Sequence, residues 1–267
     1  MNYLSNVFGT VKAESPILYR IVLILLFGAL GSVLGILLDD RMLMGINIWI
    51  KPLKFFISTA VYTLTVGFVI TFYPYSNLKK HILRNLVSWT LLLEMVIVAL
   101  QAARGVQSHY NMSSLTDGIL FGAMGILILI NVLVMVVFAF DTIRLKLLMP
   151  KTIQWALCMG WLIIIFGSWV GRQMIDQLAH NVGVPDGGAG LPLLNWSTIA
   201  GDLRVAHFFG LHSIQILPLF GLLVHKKLKT KQSLQIVVIT IFGLGYAAFI
   251  FFTYYQASQG LPFIPLD

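Results

Sequence analysis

Seven unbroken apolar stretches, each about as long as a bilayer's hydrocarbon core is thick, constrain this chain more than any other feature. They cover roughly 17–38, 52–74, 85–104, 117–140, 152–173, 203–224 and 233–255. A helix of about 20 apolar residues satisfies its backbone N–H and C=O groups internally and can therefore lie in lipid. None of the seven shows the ten-residue alternation of a barrel strand. The expected fold class is all-α: one polytopic membrane bundle of seven transmembrane helices spanning 1–267.

Composition agrees. Of 267 residues 58% are hydrophobic and 10% charged, against roughly 45–50% and 25% in soluble domains. That excludes a soluble enzyme, a disordered chain, a coiled coil and a disulfide scaffold. The net charge of +8 does not point to nucleic acid, because the basic residues sit in short connections where they set topology. The single cysteine, Cys158, lies inside an apolar run and offers no intrachain disulfide. The first run is too long for a signal-peptide core and lacks a following cleavage pattern, so it is expected to stay as an anchor.

Direction follows from the flanking cations. Lys12, Arg20, Lys79, Lys80, Arg84, Arg144, Lys146, Lys151, Lys226, Lys227, Lys229 and Lys231 collect on one side. Arg41, Lys51, Lys54, Arg104, Arg172 and Arg204 fall on the other, with most of the acids. The positive-inside rule then gives a cytoplasmic N-terminus and an extracytoplasmic C-terminus.

Ionisable groups inside a span mark function when they face the bundle interior. At about 100° per residue, the second span aligns Lys51, Lys54, Ser58, Tyr62 and Thr65. The third aligns Glu94, Gln101 and Ser108 at spacings of seven, with Arg104 beside them and His109 and Asn111 just beyond. The sixth gathers Arg204, His207, His212 and Gln215 on an arc of roughly 140°. All three stripes run from the outer surface towards the midplane, which predicts a polar cavity between spans two, three and six. Taken singly, the lysines and Arg204 read as snorkelling side chains, and Gln101, Ser108 and Gln215 as interhelical hydrogen-bond contacts. Glu94 is different, because a mid-span carboxylate requires a partner or a proton. Arg172 is expected to pair with Asp176 four residues on.

The outer connection 174–202 is rich in Gly and Pro, then carries apolar Leu191, Leu193, Leu194 and Trp196. This predicts an ordered lid that enters the sixth span with Asp202 as its N-cap. Asn111 and Asn195 each open an N-x-S sequon.

Three chemistries compete for this constellation. His109, His207 and His212 suit a haem or a divalent metal, with Glu94 or Asp202 as the catalytic carboxylate. Lys51, Lys54, Gln101, Arg104, Ser108, Asn111, Trp196, Arg204 and Gln215 suit an anionic small molecule or lipid headgroup arriving from the outer side, with proton coupling at Glu94. A membrane sensor or assembly factor is the third. The expected partner is the lipid bilayer, a homo-oligomer is compatible, and nucleic acid is not expected.

The strings KPLKF (51–55), QAARGVQSHYN (101–111), VGVPDGGAGLPLLNW (182–196) and GDLRVAHFFGLHSIQILPL (201–219) resemble those of an uncharacterised family of bacterial multi-pass membrane proteins. The resemblance runs from the second span through the sixth and implies a bacterial cytoplasmic-membrane location. It brings no activity, cofactor or catalytic residue with it.

Overall fold

The computed structural model describes residues 3–188 and 190–266, with side chains described from residue 6 onward. Eight α-helices follow one another: α1 (Tyr3–Glu14), α2 (Pro16–Leu38), α3 (Ile50–Val69), α4 (Asn77–Arg104), α5 (Leu115–Arg144), α6 (Lys151–Asp176), α7 (Leu203–Lys227) and α8 (Gln232–Ser258). A 3₁₀ turn, Ile70–Phe72, continues α3. The seven from α2 to α8 are long and apolar enough to cross a membrane, which marks the chain as a multi-pass membrane protein. Two short hairpins accompany them, β1 (Met42–Leu43) with β2 (Ile46–Asn47) and β3 (Asn181–Val182) with β4 (Gly201–Asp202). By internal contacts the chain divides into two compact units, Met1–Val134 and Met135–Asp267.

In the first unit α2 and α3 meet through small residues. A Cβ on Gly28 would stand 2.4 Å from the Phe56 ring, and one on Gly35 would stand 2.5 Å from Trp49. Missing side chains on α2 thus accept large ones from α3 and from Trp49 just before it, and Ile21, Leu25, Phe56, Ala60, Met95, Val98 and Met124 close the core around the first of them. The short α1 is absent from the sequence expectations, since it is too short and too polar to register as a span. It is held by buried Val11 and by Ser15 Oγ donating to the Gly67 carbonyl at 2.9 Å. Pro16 then starts α2, where a missing N–H costs nothing.

The connection from α2 to α3 is a hairpin with Met44 (φ 54°) and Gly45 (φ 83°) at its tip. Two successive positive φ values are what a two-residue hairpin turn demands. Asp39 anchors the hairpin, accepting from Arg41 Nε at 2.9 Å, Arg41 Nη2 at 2.7 Å and Trp49 Nε1 at 2.9 Å. The hydrogen bonds from Arg41 and then Trp49 hold its carboxyl well below the usual carboxylate range.

In the second unit α6 and α7 approach almost backbone to backbone. A Cβ on Gly210 would meet Gly167 Cα at 2.5 Å, and one on Gly167 would meet the Gly210 carbonyl carbon at 2.7 Å. Ser213 Oγ donates to the Gly160 carbonyl at 3.0 Å along the same line. Small residues permit close van der Waals packing where lipid supplies no hydrophobic drive. Phe138 stacks on buried Trp161 with ring centroids 5.0 Å apart.

The 177–202 connection is ordered by its own polar contacts, with Ala189 lying outside the described residues. Asp186 accepts from the backbone N–H groups of His180 and Asn181, both at 2.8 Å, and sits 2.5 Å from His180 Nδ1. Leu193 and Asn195 take positive φ in the tight turn before Trp196. Trp196 is buried against Phe208, Phe209 and Phe263, which explains why a loop carries apolar residues.

Candidate functional site

One end of the first unit is built where α4 stops. Gly105 adopts a left-handed conformation (φ 74°) and its N–H returns to the Gln101 and Ala102 carbonyls. The helix therefore ends before Ser108, and the seven-residue spacing that linked Ser108 to Glu94 and Gln101 does not operate there. Ser108 is buried in the loop instead, with Oγ 3.0 Å from His109 Nδ1.

Asp117, three residues into α5, is the hub of this end, and the sequence reading passed over it. Its Oδ1 accepts from Gln101 Nε2 at 2.9 Å and Arg104 Nη1 at 2.7 Å. Its Oδ2 accepts from Ser114 Oγ at 2.6 Å, with Ser113 Oγ 3.3 Å away. The Asp117 N–H in turn donates to Ser114 Oγ at 3.2 Å, completing a capping arrangement. The Ser-x-x-Asp spacing just before an apolar run is the signal that could have found it. Asn111 is likewise committed, since its amide donates to the Gln107 carbonyl and its Oδ1 accepts from Ser113. The asparagine of that sequon is buried and engaged, while Met112 and Ser113 are exposed.

Glu94 lies ten residues before Arg104, about 15 Å deeper at 1.5 Å per residue. It is 6% exposed, and its Oε2 has no hydrogen-bond partner among the described residues. On the helical wheel Thr90, Glu94 and Gln101 fall within an arc of roughly 40°. Gln101 bonds Asp117, and Thr90 Oγ1 accepts a very short hydrogen bond from Asn131 Nδ2, so both neighbours on this face reach α5. Glu94 thus shares the α4 face that carries these two satisfied polar contacts. Lys51 is the cation whose field reaches it. The Lys51 ammonium also lies 5.6 Å from the Phe55 ring centroid, and Phe55 packs on His109 at 5.6 Å. Lys54 is half-buried one turn further along α3. Buried Tyr62 Oη, Thr63 Oγ1 and Ser88 Oγ also lack hydrogen-bond partners among the described residues.

In the second unit the expected N-cap is in place: Asp202 accepts from the Arg204 N–H at 2.9 Å. The same carboxylate takes Arg204 Nη2 at 2.6 Å and the Ser197 N–H at 2.8 Å, while Arg204 also donates to the Asn195 carbonyl. Trp196 covers Phe208 and Phe209 one turn beyond. His207 points at α6, its Nδ1 donating to the Gly167 carbonyl at 2.8 Å and its ring filling the space beside Gly171. His212 is turned edge-on to Phe208 at 4.5 Å. Gln215 is half-buried three residues on.

The guanidinium groups at these ends are committed to the chain's own acids. Arg41 pairs with Asp39, Arg104 with Asp117, Arg172 with Asp176 as expected, and Arg204 with Asp202, all within 2.7 Å. Sequence reasoning offered Arg104 and Arg204 as ligand cations, whereas here each clamps a connection. Among the described residues no three His, Cys, Asp or Glu side chains gather where they could hold a metal ion. No protein-family model matches the chain, and neither curated proteins nor solved structures give a match.

Proposed function

We propose that this multi-pass membrane protein binds an anionic small molecule or lipid headgroup from the outer side of a bacterial cytoplasmic membrane, in step with a proton carried by Glu94. In this reading the N-terminus is cytoplasmic and the C-terminus extracytoplasmic, following the lysine-rich connections. The carrying observation is Glu94 itself, a buried carboxylate with one unpartnered oxygen, acted on by the charge of Lys51. A carboxylate at this depth persists only as the neutral acid or under the field of a cation. An anion that engages Lys51 removes that field and leaves Glu94 to take up a proton. Anion and proton then bind together, and acidification favours the anion by linkage.

The test is proton uptake by the purified protein, followed with a pH-sensitive dye, across a panel of small carboxylates and phosphates. Wild type is expected to take up protons with its preferred anion, and Glu94→Gln to bind the same anion without them. Equal proton uptake by Glu94→Gln would refute the assignment.

A second reading, a histidine-ligated haem or metal centre, draws support from His207. With Nδ1–H held by the Gly167 carbonyl, the lone pair sits on Nε2, the orientation that outer hydrogen bonds impose on ligating histidines. An oxidised-minus-reduced visible spectrum with elemental analysis tests it. A Soret band lost in His207→Ala would establish this reading, and a colourless, metal-free sample from well-supplied cells would end it.

A further inference from the structure

The other end of the second unit carries a feature that neither reading uses. Between the start of α6 and the connection from α7 to α8 lies a cavity of about 380 Å³, lined by Lys151, His225, Thr230 and Gln232. Its floor is fixed: Thr152 Oγ1 donates to Gln235 Oε1 at 2.8 Å, and Gln235 Nε2 donates to the Leu228 carbonyl at 2.8 Å. Both helices that open onto it, α6 and α8, begin without a side-chain cap on their first N–H groups. Lys151 and His225 of the lining are exposed, as are Lys227, Lys229 and Lys231 on the connection that carries Thr230 and Gln232. No acidic residue occurs in 222–240, and the acid nearest in sequence to Lys151, Asp141, pairs with Arg144. Leu148, Leu223 and Leu234 are 69%, 54% and 48% exposed on the same segments, an apolar surface suited to acyl chains.

We infer that this cavity binds the phosphate of an anionic membrane lipid, with Lys151, Lys229 and Lys231 facing the headgroup and the leucines its chains. Cations beside a bilayer attract anionic lipid additively, and uncapped helix starts supply further N–H donors for phosphate. The floor hydrogen bonds keep the cavity open to a headgroup instead of letting Thr152 and Gln235 compete for it.

Native mass spectrometry of the intact chain tests this in micelles doped equally with phosphatidylcholine and phosphatidylglycerol. Wild type is expected to retain phosphatidylglycerol selectively. At roughly fivefold per basic residue, the K151Q/K229Q/K231Q variant should lose on the order of a hundredfold in retention. K151Q alone, a change at one exposed side chain, should lose about fivefold and guards against misfolding of the triple variant. K79Q/K80Q, which removes charge from the first unit, should retain the lipid. Equal retention of both lipids, or undiminished retention by K151Q and the triple variant, would overturn the inference. Displacement by inorganic phosphate at matched concentration would reassign the cavity to a free anion and overturn the lipid assignment.

Discussion

Asp117 shows how one side chain can organise a membrane protein's end. Three side chains donate to it, two from α4 and one from the cap of its own helix. Asp117→Asn removes the charge that holds Arg104 and leaves a donor amide facing other donors. The expected outcome is a lower apparent melting temperature and faster amide exchange across 105–114, measured by hydrogen exchange in micelles. Ser114→Ala, which removes the cap and one donor to Asp117 but leaves the Arg104 pair, is expected to cost at least about 1 kcal/mol. A second titrating residue gives a pH dependence. Burial raises the Asp186 carboxyl, but the hydrogen bond and charge of His180 and the two backbone N–H groups outweigh it, so its pKa is lowered. A lowered carboxyl stabilises the folded loop above the unfolded value of about 3.9 and loses that contribution as pH falls through the folded value. Exchange at the His180 and Asn181 amides should therefore accelerate only on strong acidification. Acceleration already near neutral pH would show that another group controls the loop.

At the scale of elements, hydropathy located all seven spans but misjudged where helices end. The third span was expected from 85, yet α4 begins at Asn77 because Ser76 caps it, accepting from the Lys79 N–H. Its first two turns, NLKKHILR, are helical but too polar to register as lipid-facing. In the same way α5 runs on to Arg144 and α6 to Asp176. Caps and propensity end a helix, whereas apolar content ends only its buried part. The expected Arg172–Asp176 pair and the Asp202 cap were legible because both are local, with fixed spacing on a helix. The Gly167–Gly210 contact was not, since it joins residues 43 positions apart and nothing local announces which glycines meet. It is also the most sensitive point of that seam. Gly210→Leu, which drives a side chain into the α6 backbone, is expected to destabilise by at least about 1–3 kcal/mol. Gly122→Leu, with open space at its Cβ position, should be near neutral. Thermal unfolding of both variants in the same detergent checks the contrast.

For the whole molecule, the charge pattern separates two kinds of connection. Residues 73–84, 141–151 and 225–231 carry net charges of +3, +2 and +4. Residues 39–49, 104–117 and 172–204 carry −1, 0 and −1. The arginines in the second set are each matched by a nearby aspartate. Those pairs bear on how the chain is made as well as on how it stands. A nascent segment that must be threaded through a translocation channel carries its counter-ion with it, within 2 to 13 residues of each cation. Neutralising one aspartate would strand an arginine during biogenesis, before any of the finished contacts exist.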